Sequence, residues 1–303
     1  MLIVKRLAEG SLLILFVLAT VSPGQTQTNG SRDRQAKNKE ISITFDELPV
    51  ARGFGEVDRE AVTYLLLDAL KRGQVRATGF VVGQEIGDSY DILGQWLNGG
   101  HALGSMTFTN QDYNYIGIEQ FIEDIQRGTE AMEPMLAGFG QKQRYFRYPF
   151  LHYGTEETSR RVVATYLEDI GAIVAPATIV PEDYLYNLTL EKLGKEPDSV
   201  AFVSLMNEYI NHVLDEVERV EHLALEIENR PIRQILLLRA NRLNAVYLDD
   251  LLKALKEAGY SFVTLDRALR DRVYSRPDFY YGLKGLGFLD RIIQSDPDFL
   301  PAE

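Results

Sequence analysis

The stretch from residue 41 to residue 49 constrains the fold more than any other part of the chain. A short β-branched and aromatic run ends at Phe45, and two adjacent carboxylates, Asp46 and Glu47, follow it directly before a proline. This pattern predicts a buried strand whose carboxyl end carries acidic side chains. Two neighbouring carboxylates are costly to bury unless a cation or a shared proton neutralises them. The group that lies opposite this pair therefore decides what the site can do.

Strand-like and helix-like segments alternate after this first strand. Residues 59–72 and 118–136 have the apolar spacing of amphipathic helices, whereas residues 77–82 and 145–150 are typical of strands. Alternation at this spacing predicts parallel strands joined by crossovers, and hence an α/β sheet or barrel in a single domain. Between residues 200 and 227 the apolar residues recur at helical spacing, which predicts one long helix, or two, packed on the core.

The amino terminus predicts export from the cytoplasm. Lys5 and Arg6 precede an apolar run over residues 12–21, and small residues and a proline then end it. We interpret residues 1–24 as a secretory signal peptide, with an uncleaved anchor or a buried helix as the alternative. Residues 25–39 are polar and predict a disordered leader. The expected domain covers residues 40–273, followed by an extension, residues 274–303, packed on it. The expected location is secreted or periplasmic, with no stable membrane span after signal cleavage.

Charge and composition exclude several classes of function. The chain has 303 residues and a formal net charge of -12, which argues against a nucleic-acid partner and against simple attraction to anionic membranes. It contains no cysteine, so structural disulfides, thiolate metal sites and thiol nucleophiles are excluded.

Four short segments at predicted strand ends carry a family resemblance: residues 44–47, 104–110, 146–150 and 238–244. In order and spacing they resemble the polysaccharide deacetylase family (the NodB homology domain, carbohydrate esterase family four). The likeness covers nearly the whole predicted domain. It implies a distorted (β/α) barrel with the site at the carboxyl ends of the strands. It also implies metal-dependent hydrolysis of N-acetyl or O-acetyl groups on a carbohydrate, so the expected partner is a glycan in the cleft.

The resemblance assigns family roles to matching positions of this chain. Asp46 matches the catalytic base, and Arg147 matches the arginine that holds it. Arg239 occupies the position of the late catalytic histidine. An arginine is always protonated and cannot alternate as acid and base near neutral pH. The resemblance therefore supplies a base and its partner but no group for the acid step.

The metal positions also depart from the family pattern. Glu47 stands where the metal-binding aspartate belongs, and Met106 and Asn110 occupy the places of the two histidines. A thioether and an amide are weak ligands for zinc, which prefers imidazole, thiolate or carboxylate. We therefore expect no metal and no other cofactor, although the family uses a divalent metal such as zinc.

Two interpretations of these substitutions remain open. Under degeneration, the positions drifted after losing their roles, and Met106 simply packs. Under replacement, Arg239 supplies the positive charge that a metal would provide and pairs with Glu47, while Arg147 pairs with Asp46. A guanidinium fork matches a carboxylate well. The second interpretation predicts a salt-bridged cleft in which each acid has its own arginine.

Aromatic side chains near the motifs are candidates for sugar contacts. Phe150, Tyr153 and Tyr184 could present rings to pyranose faces, whereas Trp96 is expected in the core. Asp183 either accepts a hydrogen bond from a sugar hydroxyl or caps a turn. We expect the histidines at positions 101 and 152 to be structural.

Three functions are consistent with these observations. The first is a secreted, degenerate deacetylase-like protein that binds a glycan or a partner. The second is an active carbohydrate deacetylase that uses Asp46 with a non-standard metal site or without metal. The third is a scaffold whose surface, rather than its cleft, carries the function.

Overall fold

The computed structural model describes residues 39–51, 58–194 and 199–295. The predicted signal peptide and residues 25–38 of the predicted leader lie outside the described residues. Within these ranges no helix has both the length and the apolar character needed to cross a membrane.

Parallel strands form one curled sheet in the order β5-β4-β3-β2-β1-β6, and β7 pairs with the start of β1. The strands are β1 (Lys39–Leu48), β2 (Thr78–Val81), β3 (Ala102–Ser105), β4 (Tyr145–Phe146), β5 (Ile173–Val174), β6 (Gln234–Arg239) and β7 (Tyr260–Phe262). β1 is central, and its residues from Ile41 to Asp46 are all buried. A strand covered on both faces reads as a continuous apolar or β-branched run, as this one does.

Helices surround the sheet and complete a half-barrel in a single domain. They are α1 (Arg59–Gly73), α2 (Ile86–Asn98), α3 (Ile118–Gly138), α4 (Glu157–Asp169), α5 (Asp183–Leu193), α6 (Ser199–Glu228), α7 (Arg242–Glu257), α8 (Leu265–Leu269) and α9 (Phe288–Ser295). The chain after β5 returns to the other end of the sheet, where Ile179 bridges Leu236 of β6 in parallel. This bridge brings the two ends of the strand order together. The predicted distorted (β/α) barrel is therefore confirmed.

The long helix α6 shows why its sequence pattern was informative. Its buried residues recur every three or four positions along one face: Leu205, Tyr209, Val213, Val217, Val220, Ala224 and Ile227. All of them belong to the largest hydrophobic cluster of the described residues. Of the two predicted alternatives, one long helix or two, the structure has one long helix with a single face on the core.

One predicted strand is shorter than expected. The strand predicted over residues 145–150 ends at Phe146, because Pro149 opens a 3-10 turn in which Phe150 has a φ of 56°. β5 is limited to Ile173–Val174, and Ile179 adds a later bridge. Helix α7 begins at Arg242, because the side chain of Asn241 caps it by accepting from the N–H of Asn244 at 2.9 Å. Helix α5 was not predicted.

Residues 276–287, which we call the carboxy-terminal strap, cross the edge of the half-barrel before α9. Asp278 anchors the strap through ion pairs with Arg160 at 2.8 Å and Arg291 at 2.7 Å. The N–H of Phe288 donates to the carbonyl of Ala177 at 2.7 Å. The strap is thus fixed to the part of the barrel where the strands end.

Candidate functional site

The carboxyl ends of β1 and β6 bring the acids of the first motif next to Arg239. Asp46 and Arg239 are register partners across the two parallel strands. They open on a pocket of about 50 Å³ whose lining includes Glu47, Met106 and Phe150. Parallel neighbouring strands place their carboxyl ends at one edge, so residues 193 positions apart in sequence meet there.

Asp46 is held by the first of two arginines, Arg147, which is fully buried. Nη1 of Arg147 donates to Oδ1 of Asp46 at 3.2 Å, and Nη2 donates to Oγ1 of Thr44 at 3.2 Å. Thr44 and Asp46 are two positions apart on β1, so they share a face of the strand. The guanidinium also lies 4.4 Å from the ring centroid of Phe80. Burial raises the pKa of Asp46, and the two arginines, Arg147 and Arg239, offset this only in part.

Glu47 is held by the second arginine. Nε of Arg239 lies 3.4 Å from Oε1 of Glu47. Glu47 has a φ of 64°, a left-handed conformation that costs a residue with a Cβ roughly 1–2 kcal/mol. Burial raises the pKa of this carboxyl group, and the charge of Arg239 opposes that rise. Both predicted ion pairs, Asp46 with Arg147 and Glu47 with Arg239, are therefore present.

Asp183 is the partner of Arg239 that sequence reasoning missed. Nη1 of Arg239 donates to Oδ1 of Asp183 at 2.6 Å, and the backbone N–H of Arg239 donates to Oδ2 at 2.7 Å. The side chain of Asn244 also donates to Oδ2, at 2.7 Å. Asp183 is fully buried at the first turn of α5, where a carboxylate is favoured by the helix dipole. Of the two roles expected for Asp183, the contact with a sugar hydroxyl has no support here, because this carboxylate is enclosed and already bonded.

Backbone strain is concentrated around the same strand ends. Among the described residues other than glycine, most of those with positive φ lie here: Glu47, Thr107, Asn110, Phe150 and Leu151. Strained conformations persist only where the surroundings fix them, and they cluster at functional sites. The loop that contains Thr107 is fixed by Asp124 of α3, whose carboxylate accepts from Oγ1 of Thr109 at 2.8 Å. The strain marks this edge as the candidate functional site.

The family's metal positions hold residues that do not suit a divalent cation. Met106 is 2% exposed and packs with Phe80 and Tyr145 in a hydrophobic cluster. Oδ1 of Asn110 is buried and has no hydrogen-bond partner among the described residues. Glu47 is already paired with the guanidinium of Arg239. The positive charge of this guanidinium would repel a metal ion placed beside Glu47. In the described part of the chain, no three histidine, cysteine or acidic side chains come together as a metal-binding group.

The predicted aromatic contacts divide into exposed and buried rings. Phe150 is 45% exposed and Tyr184 is 42% exposed, and the ring centroid of Tyr184 lies 5.1 Å from Cζ of Arg239. Tyr153 is buried, with its ring centroid 4.4 Å from that of Tyr148 and 3.9 Å from Cζ of Arg291. The prediction that Tyr153 contacts a sugar is therefore wrong, because its faces are covered by protein.

Trp96 is structural, as expected, and each of the two histidines has one ring nitrogen bonded within the chain. Trp96 is fully buried and makes an edge contact with Phe45. Nδ1 of His101 accepts from the backbone N–H of Ala77 at 3.1 Å. Nδ1 of His152 lies 2.7 Å from Oδ1 of Asp112.

The strap explains why the pocket is small. Gly285 lines the pocket, and a Cβ atom at that position would lie 1.9 Å from the carbonyl oxygen of Phe150. The side-chain amide of Asn114 donates to the carbonyl of Leu283 at 3.3 Å. Ligand pockets usually have ~300–1,000 Å³, so a whole sugar ring would not enter the enclosed part. The glycine at position 285 was the only signal in the sequence for this close approach.

The fold and the site together define a (β/α)-barrel protein whose site lies at the carboxyl ends of its strands, with the acids of the first strand at the centre. In its motifs the chain resembles the polysaccharide deacetylase family, and the family model for polysaccharide deacetylase matches residues 33–166.

Curated relatives extend the similarity beyond that range. The peptidoglycan-N-acetylmuramic acid deacetylase PdaA of Bacillus subtilis is 24% identical over 244 residues, covering 80% of this chain and 75% of PdaA. The peptidoglycan-N-acetylglucosamine deacetylase PgdA of Listeria monocytogenes is 23% identical over 240 residues, covering 78% of this chain. The match spans only 40% of PgdA.

Solved structures support the fold. A CE4 family pseudoenzyme from Bacillus anthracis superposes with a TM-score of 0.52 at 18% identity, covering 77% of this chain and 66% of that one. A mutant of the peptidoglycan deacetylase PdaC from Bacillus subtilis superposes with a TM-score of 0.51 at 19% identity. That match covers 77% of this chain and 91% of PdaC.

Proposed function

We propose that this chain is an extracytoplasmic, carbohydrate-binding member of the polysaccharide deacetylase family that holds no metal and releases no acetate. The observation that carries the proposal is the position of Arg239. Its guanidinium occupies the place of the late histidine and binds both Glu47 and Asp183. A permanently protonated group in that place cannot serve as the acid of the reaction.

Charge neutralisation supports replacement rather than simple drift. Asp46 and Glu47 are adjacent and largely buried, and each has its own arginine within ion-pair distance. In the family, part of this negative charge is balanced by a divalent metal. Here Arg239 supplies the balancing charge, and Met106 fills apolar space in the core.

The rim of the cleft supports carbohydrate binding. Phe150 and Tyr184 expose their rings beside a pocket with charged and hydrogen-bonding groups at its floor. An aromatic ring packs against the apolar face of a sugar, and the polar groups form hydrogen bonds with its hydroxyls. The relatives named above act on peptidoglycan, so an N-acetylated glycan of the cell wall is the ligand class that we propose. Such a glycan lies outside the cytoplasm, in agreement with the predicted signal peptide.

Calorimetric titration with an N-acetylglucosamine tetramer, together with an enzymatic assay for released acetate, tests this proposal. The expected result is saturable binding with no acetate release, with or without added zinc. Acetate release would instead support the second candidate, an active deacetylase. The raised pKa of Asp46 favours that candidate, because a base works best when its pKa approaches the working pH. Absence of both binding and release would contradict the proposal.

A further inference from the structure

A second and larger groove lies at the opposite end of the sheet from the cleft. It has a volume of about 650 Å³, and its lining comes from the last turns of α1 and α2 and from the residues that lead into β2 and β3. This volume falls within the ~300–1,000 Å³ that is typical of ligand sites. The groove shares no lining residue with the strand-end pocket.

His101 supplies a fixed hydrogen-bond donor to this groove. The residue is 4% exposed and lines the groove, and its Nδ1 accepts from the backbone N–H of Ala77. A neutral imidazole that accepts at one nitrogen carries its proton on the other. Nε2–H is therefore the donor, and no described residue accepts from it. This donor is free to bond a ligand or water in the groove.

The charges around the groove favour an anion. Lys71 and Arg76 both line it, and neither forms an ion pair with any described residue. The carboxylate in the lining belongs to Asp68, and Arg72 already pairs with it across one turn of α1. In a chain with a net charge of -12, this leaves a local surplus of positive charge. Such a site attracts an anion and repels a metal ion.

The remaining lining suits a sugar ring. Tyr64 is 65% exposed and offers an aromatic face, and Gln95 and Asn98 add side-chain amides that both donate and accept. We propose that this groove binds an anionic sugar, a ligand in which a carboxylate or phosphate group meets His101, Lys71 and Arg76 while the ring lies against Tyr64. This inference does not depend on the proposed function of the cleft.

An NMR titration of the ¹⁵N-labelled chain tests the proposal with three probes: glucuronate, glucose 6-phosphate and glucose. We expect saturable shifts at the Nε2 signal of His101 and at the amides of Ala77 and Gly99 with at least one anionic probe. Neutral glucose is expected to cause none at equal concentration. Response to glucuronate alone identifies a carboxylate ligand, and response to glucose 6-phosphate alone identifies a phosphate ligand.

Substitutions distinguish binding in this groove from a non-specific effect of positive charge elsewhere on the surface. The Arg76→Gln substitution should weaken binding about tenfold, the loss expected for one charge-assisted hydrogen bond. His101→Asn keeps an acceptor for the Ala77 N–H but has no group at the position of Nε2, so it should weaken binding similarly. Arg161→Gln, which removes an exposed arginine of α4, serves as the matched control and should change nothing. If His101→Asn does not fold, the comparison of Arg76→Gln with Arg161→Gln still tests the proposal. Equal losses of affinity in these two variants, or no saturable shift with either anion, would overturn it.

Discussion

Nη1 of Arg239 lies 2.6 Å from Oδ1 of Asp183, and this contact organises the candidate site. The same guanidinium reaches Glu47 through Nε, so one side chain links the ends of β1 and β6 to the start of α5. Asp183 is fully buried, and Arg239 supplies the positive charge beside its carboxylate. Arg239 is thus part of the folded structure as well as of the cleft.

Replacing Arg239 should destabilise the protein more than replacing an exposed arginine. Arg239→Met leaves the carboxylate of Asp183 buried without its cation, and breaking a buried pair costs about 3–5 kcal/mol. Urea unfolding measures the free energy of unfolding. Arg161→Gln should change it by less than about 0.5 kcal/mol. A loss below about 1 kcal/mol for Arg239→Met would show that Asp183 does not depend on the pair.

Protonation of His101 should reduce stability in mildly acidic solution. Burial, with a smaller contribution from Arg76, lowers the pKa of His101 from 6.5 to about 4. The unfolded chain therefore takes up this proton at a higher pH than the folded chain does. The stabilisation by neutral His101 is fully present above pH 6.5. Up to about 3 kcal/mol of the free energy of unfolding is lost as the pH falls toward 4. Unfolding at several pH values should show a shallower acid dependence for His101→Asn. Identical slopes for the two proteins would contradict the assignment.

Asp278 should stabilise the strap only while it is ionised. Burial raises the pKa of Asp278, but the charges of Arg291 and Arg160 lower it by more. The pKa in the folded protein therefore lies below its usual value. The contribution is therefore present above pH 3.8 and is lost as the pH falls through the lower folded value. Asp278→Asn should lower stability at pH 7 and speed hydrogen exchange at Phe288. The difference from the unaltered protein should shrink in acid, and a difference independent of pH would count against this role.

Tyr184 should contribute to glycan affinity, whereas a similarly exposed tyrosine elsewhere should not. Tyr184→Ala removes a ring beside Arg239, and we expect affinity for the N-acetylglucosamine tetramer to fall about tenfold, as for one stacking contact. Tyr90 is 44% exposed on α2, so Tyr90→Ala is the matched control. Calorimetric titration of both variants gives the comparison. Equal affinities in the two variants would place the glycan away from the rim that Tyr184 forms.

The sequence predicted the barrel because its signals are local, and it predicted the two ion pairs because the family motifs contain both partners. The run before Asp46 and the apolar spacing of α6 each report burial within a few residues. Arg147 and Arg239 followed from the family motifs, and a buried carboxylate needs a cation.

The errors concern contacts between segments far apart in the chain. The ion pair of Asp183 was not predicted, because the charge that it meets lies 56 positions later, on another element. Tyr153 was placed in the cleft because nothing near it in sequence indicates that Arg291 covers its ring. Glycines are the only feature of the strap sequence that indicates a close approach. They do not identify the partner, so the contact with Phe150 could not be predicted.

Metal content tests the central claim most directly. The purified protein is equilibrated with excess zinc, passed through gel filtration and analysed by mass spectrometry. A variant with Glu47→Asp, Met106→His, Asn110→His and Arg239→His serves as the positive control, because it restores the family's residues and removes the competing cation. The account predicts no retained zinc in the unaltered protein and near-stoichiometric zinc in the variant. Stoichiometric zinc in the unaltered protein would contradict the claim that Arg239 replaces the metal.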